Sequence, residues 1–526
     1  MASNDTFGAI EFLKKEGPDL VRRFVRTHRG AVYADLRFEA MFGLSSFATD
    51  GEARSAQEGE SAGFGLSVRV AARGGASATG QAGLEVGRLA AKSAKLVAAI
   101  RNAMGEAYER ARVSAREKSA LIRTLGTRAR GLSADTGAKA DTLRDDVPAE
   151  YRRDPRAIDP DELKRLTREA SARITALGAG IGFNAVAALT ELREELFVNG
   201  DGALVTQGFA FSQGDCYVVA QAGDGGHQEI YDTIGQQRGL ECLVEGWPDE
   251  LTPNPDLLTF ALEIGREALE LAAAPALKPP EGEVTVVTDP HFTALVAHEI
   301  IGHPSEADRA LKMEAAYAGR SWFLRSLEDN EIGRPVGSPL LSACSDPGLR
   351  GYGHYRYDHE GTPARRVMHI ENGVFRGFLN SRDTAAALGV EPNGAARASE
   401  IFYVPLIRMS NTFLMPGTSD LRGIIGSVEH GYYVCGSSVP SIAESRENFR
   451  ISARRVYEIE HGRIGRLYRA GSVIADSRRF FMNVDAVGND LRLIAIPNCG
   501  KGQPMQVKRM SNGGPTLRSR ARLGGG

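Results

Sequence analysis

The chain opens on an amphipathic stripe at helical spacing over 7–28, with Gly17-Pro18 inside it as a predicted break. The period then shortens. Val32, Ala34, Leu36 and Phe38 alternate with Tyr33, Asp35 and Arg37, and Phe64, Leu66, Val68 and Val70 repeat the pattern. Both segments are predicted as half-buried strands. The stretch 49–62 between them is small and acidic and reads as a loop. From about 89 to 130 the helical period returns, with Leu96, Val97, Ile100, Met104, Ala107 and Ala111 in one stripe. Pro148, Pro155 and Pro160 interrupt it, and a further helix is predicted over 161–177. This helical insert, about 89–177, fits either a coiled-coil-like arm or ordinary amphipathic helices on a sheet, the second being the simpler.

Strands resume over 196–220, turning at Asn199-Gly200 or Asp201-Gly202. A helix is expected over 257–273. Pro275, Pro279 and Pro280 then read as a linker, which sets a domain boundary near 280. A short strand over 284–287 runs into Asp289-Pro290, a helix-entry pair, and the next helix carries histidines. Beyond it the pattern is mostly antiparallel β, with hairpins expected around Asn372-Gly373 and His461-Gly462. The basic, glycine-ended tail 508–526 reads as loose at its end. The fold class expected is α+β in two domains. Residues 1–280 form a mixed α/β domain with the helical insert, and 281–526 a mostly antiparallel β domain carrying the histidine helix.

Length and composition narrow the function classes. The 526 residues exceed one ordinary core. Hydrophobic residues are 42% and charged residues 25%, as in globular proteins. The net charge of −2 gives no general attraction to nucleic acid or acidic membranes. The five cysteines are odd in number, widely spaced and free of any CxxC pair, which predicts a reducing compartment. No signal-peptide core or long apolar run is present, so a cytoplasmic protein is expected, with no membrane and no nucleic-acid partner.

The candidate chemistry lies in His298-Glu299-Ile300-Ile301-Gly302-His303. A zinc hydrolase needs neutral imidazoles to hold the ion, an open coordination position, and a carboxylate to take a proton from water. The familiar helical solution spaces the histidines by four. Here the spacing is five, which on a regular helix rotates the side chain by ~140° rather than ~40°. Gly302 is a weak helix residue, and Pro304 biases His303 away from helical backbone. The helix is therefore expected to end, kink or widen into a π-like turn near Gly302. Glu306 and Asp308 follow closely, either as acceptors orienting the imidazoles or as a solvated turn. A third ligand must come from the remaining histidines, carboxylates or cysteines. Cys499, within Pro497-Asn498-Cys499-Gly500-Lys501-Gly502, suits a tight loop presenting sulfur, though a buried free cysteine would read the same way. His354 and Tyr355 are candidate substrate-binding donors, though ordinary strand positions are the simpler reading of both.

These residues, with Asp358-His359-Glu360-Gly361-Thr362, the 370–374 and 377–379 segments, Arg408-Met409-Ser410-Asn411-Thr412, the 487–491 segment and Cys499-Gly500-Lys501 in this order, resemble the TldD/PmbA metallopeptidases, also called the modulator-of-DNA-gyrase family. The resemblance is strong over about 285–526 and thin before it. It implies His298, His303 and Cys499 as zinc ligands and Glu299 as the catalytic glutamate. It also implies unfolded or peptide substrates. The expected partner is a homologous PmbA-type subunit lacking the His-Glu-x-x-x-His motif, in a heterodimer, or otherwise a homodimer. Two features depart from the family: the long helical insert, and Pro304 where a small residue is usual. The expected activity is zinc-dependent amide hydrolysis. The rivals are a non-catalytic zinc-containing scaffold subunit and a metal hydrolase acting on something other than peptides.

Overall fold

The computed structural model describes residues 6–72, 76–86, 94–125, 143–221, 223, 227–314 and 319–525. Strands β1 (Ala31–Thr49) and β2 (Glu52–Ala71) form one long hairpin. It closes at Asp50-Gly51, both with positive φ (50° and 81°), the backbone that the right-handed twist of a two-residue hairpin favours. The loop expected over 49–62 is therefore mostly strand. Its residues are largely exposed, so hydrophobic alternation could not reveal it; the turn and the backbone ladder to β1 set it instead.

Among the described residues, β3 (Ser77–Glu85), β4 (Arg144–Val147), β5 (Ile181–Asn199), β6 (Leu204–Gln221) and β7 (His227–Gln236) complete a sheet of order β3-β2-β1-β5-β6-β4, with β7 also on β6. One face is covered by helices α1 (Gly8–Thr27), α2 (Ala94–Leu125), α3 (Pro160–Thr175) and, after the short α4 (Glu241–Val244), α5 (Leu257–Ala273). Ala34, Leu36 and Phe38 face this layer. Helix α1 runs unbroken through Pro18, because Gly17 lies against Val198 and Leu36 and this packing outweighs the hydrogen bond that proline removes. Helix α2 buries Leu96, Ile100, Met104, Ala107 and Ala111 against β2 and β3, an ordinary amphipathic helix on a sheet rather than an arm. The parts of the expected insert at 89–93 and 126–142 lie outside the described residues.

Asp35 and Arg37, on the side of β1 away from the helices, are buried too, which their polarity did not suggest. The second half of the chain covers that face. Arg193 Nη1 donates to Ser399 O at 2.8 Å. Added β-carbons at Gly65 and Gly83 would collide with the backbone oxygens of Ile401 and Phe402, so both glycines are needed for this close approach.

The second half begins with β8 (Val284–Thr288) and α6 (Pro290–Val296), where Asp289 caps the helix and Pro290 opens it. After the short α7 (Ala307–Ala310) come β9 (Ala343–Ser345), β10 (Val367–Glu371), β11 (Val374–Phe375), α8 (Arg382–Leu388), β12 (Ala396–Arg397), β13 (Leu406–Ile407), β14 (Asn411–Leu414) and α9 (Leu421–Gly426). Then follow β15 (His430–Ile442), β16 (Asn448–Glu460), β17 (Arg463–Tyr468), β18 (Gly471–Asp476), α10 (Ser477–Met482), β19 (Ala486–Val487), β20 (Arg492–Lys501), β21 (Gln506–Gly514) and β22 (Leu517–Gly525). The pairings β15–β8, β8–β22, β22–β18, β18–β16 and β16–β15 close a barrel, antiparallel except at β15–β8. A second sheet runs β11-β10-β9-β14-β21-β20. Both predicted hairpin turns form, with positive φ at Asn372-Gly373 and His461-Gly462. The tail is not loose up to Gly525: β22 lies between β8 and β18 in the barrel wall, where strand pairing holds residues whose composition suggested a free end. Buried apolar side chains gather in two main clusters, one from Phe7 to Ala272 and one from Leu277 to Leu523. Among the described residues no helix is long and apolar enough to cross a membrane.

Gly65→Leu is expected to destabilise the protein by about 1–3 kcal/mol, because the side chain must displace the Ile401 backbone. Denaturant titration with a midpoint equal to that of the wild type would show that this approach does not hold in solution.

Candidate metal centre

Helix α6 passes directly into a π-turn over Ala297–Gly302 and then a 3-10 turn over His303–Ser305. The His303 N–H donates to the His298 carbonyl, five residues back. A turn closed by this wider bond returns residues five apart to the same side of the helix. The imidazole centroids are 4.6 Å apart and their planes nearly perpendicular, at 86°. The expected widening thus occurs, but by another route than the proline was expected to provide. His303 stays in helical backbone (φ −59°, ψ −47°), and Pro304 sits at the start of the 3-10 turn, where its missing N–H costs nothing. Gly302 matters through packing: a β-carbon there would run into the Met409 sulfur. The turn is further fixed by Trp322 Nε1 donating to Ile300 O (3.0 Å) and Ser305 Oγ to Ile301 O (2.6 Å).

The hairpin β20–β21 brings Cys499 to the same point. Its Sγ is 3.7 Å from His303 Nε2, and the candidate ligand atoms of His298, His303 and Cys499 all lie within 4.8 Å of one another. All three residues are buried. Arg408 anchors the hairpin by donating to the carbonyl oxygens of Cys499 and Gln506. Asn512 Oδ1 is 2.8 Å from His298 Nδ1, an arrangement that holds the ring and directs Nε2 toward the cluster. The Asn512 amide is itself oriented by donation to Thr412 O at 3.2 Å.

The electrostatics suit a cation. Burial pushes the Cys499 thiol up, but the facing imidazoles of His303 and His298 and the Arg408 guanidinium outweigh it and hold the sulfur well below the usual thiol range. Burial likewise works against a charged His298, yet the Cys499 thiolate, Glu299 and the Asn512 oxygen lift it to about 9. Glu299 is held below the usual carboxylate range: burial opposes its charge, and His303, His298 and Arg446 more than compensate. Its Oε2 is 4.0 Å from His303 Nε2 and accepts from Arg446 Nη1.

Glu306 and Asp308 are placed differently from each other. Glu306 Oε2 lies 3.5 Å from His303 Nδ1 and is also bound by Arg309 Nε (2.7 Å) and Lys501 Nζ (3.0 Å). Asp308 accepts instead from Lys501 Nζ (2.6 Å) and the Ile407 N–H (3.1 Å), so it reaches the imidazoles only through Lys501 and Glu306. His354 and Tyr355 lie on a loop, not on strands, and line a cavity beside Pro497 and Asn498. The Tyr355 hydroxyl is already committed to Gly394 O (2.8 Å), and His354 Nδ1 sits 2.6 Å from Pro347 O.

Arg446 and Asn512 were not anticipated. Arg446 occupies a turn between β15 and β16 in left-handed backbone (φ 68°), which for a bulky residue is held only by its surroundings, here Ser477 Oγ donating to its carbonyl at 2.6 Å. Neither residue lies at a spacing that matches a known ligand or catalytic motif, so no sequence signal marked them.

The family model described as the PmbA/TldA metallopeptidase C-terminal domain matches residues 281–522. The chain is 33% identical to a protein named metalloprotease from Methanothermobacter thermautotrophicus over 63% of this chain and 67% of that one. It is 30% identical to a zinc metalloprotease TldD homolog from Saccharolobus solfataricus over 47% of this chain and 53% of that one, so it spans about half the length of this second relative. A candidate modulator of a DNA gyrase from Thermotoga maritima shares the fold, with a TM-score of 0.67 at 16% identity over 97% of this chain and 100% of that one. TldE from Thermococcus kodakarensis does so with a TM-score of 0.65 at 15% identity, over 98% and 100%.

Two outcomes follow from the cluster. Cys499→Ser replaces a soft thiolate with a hydroxyl and is expected to weaken zinc retention at least tenfold; metal content unchanged after dialysis would count against Cys499 as a ligand. Because His298 is protonated below about 9 in the metal-free protein, a metal must displace that proton. Zinc affinity is therefore expected to rise about tenfold per pH unit up to about 9, with roughly one proton released at pH 7. Calorimetric titration in two buffers of different protonation enthalpy measures this, and no release would show that His298 is already neutral beside Cys499 in the metal-free protein.

Proposed function

Because this chain belongs to the PmbA/TldD metallopeptidase family, we propose that it is a zinc-dependent peptidase that hydrolyses amide bonds of unfolded or extended peptides. The observation that carries the reading is the π-turn that brings His298 and His303 together beside Cys499, with ligand atoms within 4.8 Å. The donor set fits zinc: two imidazoles and one thiolate are tetrahedral-site ligands, and three protein ligands leave a position open. A bound zinc ion supplies Lewis acidity toward water and the amide carbonyl.

The remaining steps belong to the chain. Glu299 is ionised beside the cluster and is the group assigned to take a proton from the attacking water and pass it to the leaving amine. Arg446 engages Glu299 Oε2, which orients the carboxylate beside His303. Asn512 holds His298 at Nδ1, and Glu306 faces Nδ1 of His303, which would leave Nε2 of each imidazole to hold a zinc ion. Burial of the cluster excludes bulk water and strengthens these interactions.

The alternative of a non-catalytic scaffold subunit would call for a closed four-ligand site; among the described residues three ligands converge, which favours the peptidase. A homologous PmbA-type subunit lacking the His-Glu-x-x-x-His motif is the proposed partner, with a homodimer as the other form. Five free, buried cysteines support a reducing, cytoplasmic setting.

Glu299→Gln is expected to keep its zinc and lose about 10²–10⁴-fold in kcat. Metal analysis alongside cleavage of an unfolded peptide, with and without a PmbA-type partner, checks both halves; wild-type turnover in the pure variant would remove Glu299 as the base.

A further inference from the structure

A cavity of about 400 Å³ lies between the first-half sheet and the β20–β21 hairpin. Its position follows from an irregularity in that hairpin. The register between β20 and β21 shifts between Ile496 and Cys499, so Pro497 and Asn498 drop out of the ladder. These two residues, directly before the ligand Cys499, form one wall of the cavity. The opposite wall is the concave face of the long strands, where Met41, Leu189 and Phe209 are half-buried and Phe211 is stacked on Phe209 with centroids 6.0 Å apart.

Most charged groups of the wall are engaged within the chain, Glu400 accepting from Ser399 Oγ and Arg397 donating to Met409 O, while Arg397 Nε is left without a hydrogen-bond partner among the described residues. Glu191 takes Arg193 at 3.1 Å and Arg509 at 3.1 Å. Arg193 also pairs with Glu39 at 3.0 Å, and Glu195 with His359 at 3.1 Å. Arg509 lies over the Phe211 ring at 4.9 Å and Arg397 over Tyr355 at 4.0 Å. Lys508 Nζ donates to Ala398 O at 2.7 Å. A charged guest at the Glu191, Arg193 and Arg509 wall would have to break one of these pairs or lose its own water without compensation. An apolar guest meets aromatic and aliphatic surface, and a small set of fixed polar groups around such a surface is the usual build of a ligand pocket.

We propose that this cavity is a specificity pocket that takes a large apolar side chain, aromatic or branched aliphatic, of a peptide held next to the metal centre. The inference rests on the peptidase reading for its substrate class. Successive residues of an extended chain are ~3.4 Å apart with side chains on alternate sides. A peptide whose reacting amide lies at Cys499 therefore places a side chain within one or two residues of Asn498 and Pro497. The pocket selects that residue.

The test uses the full-length Glu299→Gln protein loaded with zinc, so that no peptide is consumed, and calorimetric titration with blocked heptapeptides of glycine and serine carrying one central Phe, Leu, Asp or Lys. The Phe and Leu peptides are expected to bind roughly tenfold to a hundredfold more tightly than the Asp and Lys peptides. Phe209→Asp is expected to abolish that preference, and Leu189→Gln, on the neighbouring strand, to reduce it, so either variant suffices if the other fails to fold. Equal affinity for all four peptides, or no binding of any, overturns the pocket. A preference for Phe that survives both variants overturns it as well. The wild-type protein is assayed on the same peptides. Cleavage without apolar preference would leave the peptidase reading standing and the pocket refuted, whereas apolar binding without cleavage in the zinc-loaded wild type would do the reverse.

Discussion

The hydrogen bond from the His303 N–H to the His298 carbonyl sets the geometry on which the candidate metal centre depends. It converts a five-residue spacing, which a regular helix would splay, into two rings 4.6 Å apart. The wider turn needs support, since π-helical segments are rare and weak by themselves. That support comes from the following 3-10 turn and from distant segments. Trp322 and Ser305 take the carbonyls of Ile300 and Ile301, and Met409 occupies the space left by the missing side chain of Gly302. The histidines are therefore positioned by packing partners at least as much as by their own segment.

Around the turn lies a shell of buried charge. Glu306 accepts from Arg309 and Lys501, and Lys501 also reaches Asp308 and the Ile407 carbonyl, with its side chain wholly buried. Burial works against the charge of Glu306, yet Lys501, Arg309 and His303 hold its carboxyl well below the usual range. Removing one member of such a set leaves another charge buried and unpaired, a cost of about 3–5 kcal/mol. The shell ties together residues near 306, 407 and 501. It locks the Cys499 hairpin to the histidine turn whether or not a metal is bound.

The two halves of the chain meet over a polar sheet face rather than a greasy one. The helices cover the apolar side of the long strands, and the other side carries Asp35, Arg37, Glu39, Glu191 and Arg193 in internal pairs. Glycines at the crossing let the Ile401–Phe402 backbone approach closely. Where the surfaces separate, the cavity beside Pro497 and Asn498 opens. The candidate metal site and the cavity thus share one hairpin, so the elements that place the candidate ligands also line the cavity beside them.

What local sequence could determine, it determined well. Asn372-Gly373 and His461-Gly462 turn their hairpins because only such residues accept two successive positive φ angles without strain. Asp289-Pro290 starts its helix through a side-chain cap and a preset φ, and the 257–273 stripe forms the helix its period predicts. The histidine pair and the need for a break between them were legible from spacing alone, and Cys499 became legible through its resemblance to a family. The strand over 52–62, the unbroken helix through Pro18 and the paired tail were not, because ladder hydrogen bonds and packing from distant segments fix them and leave little trace in side-chain pattern. The same holds for Arg446 on Glu299 and Asn512 on His298. These contacts span 147 and 214 residues, and only the tertiary fold could bring them together, since side-chain periodicity reports a residue's own element and not what will be packed against it.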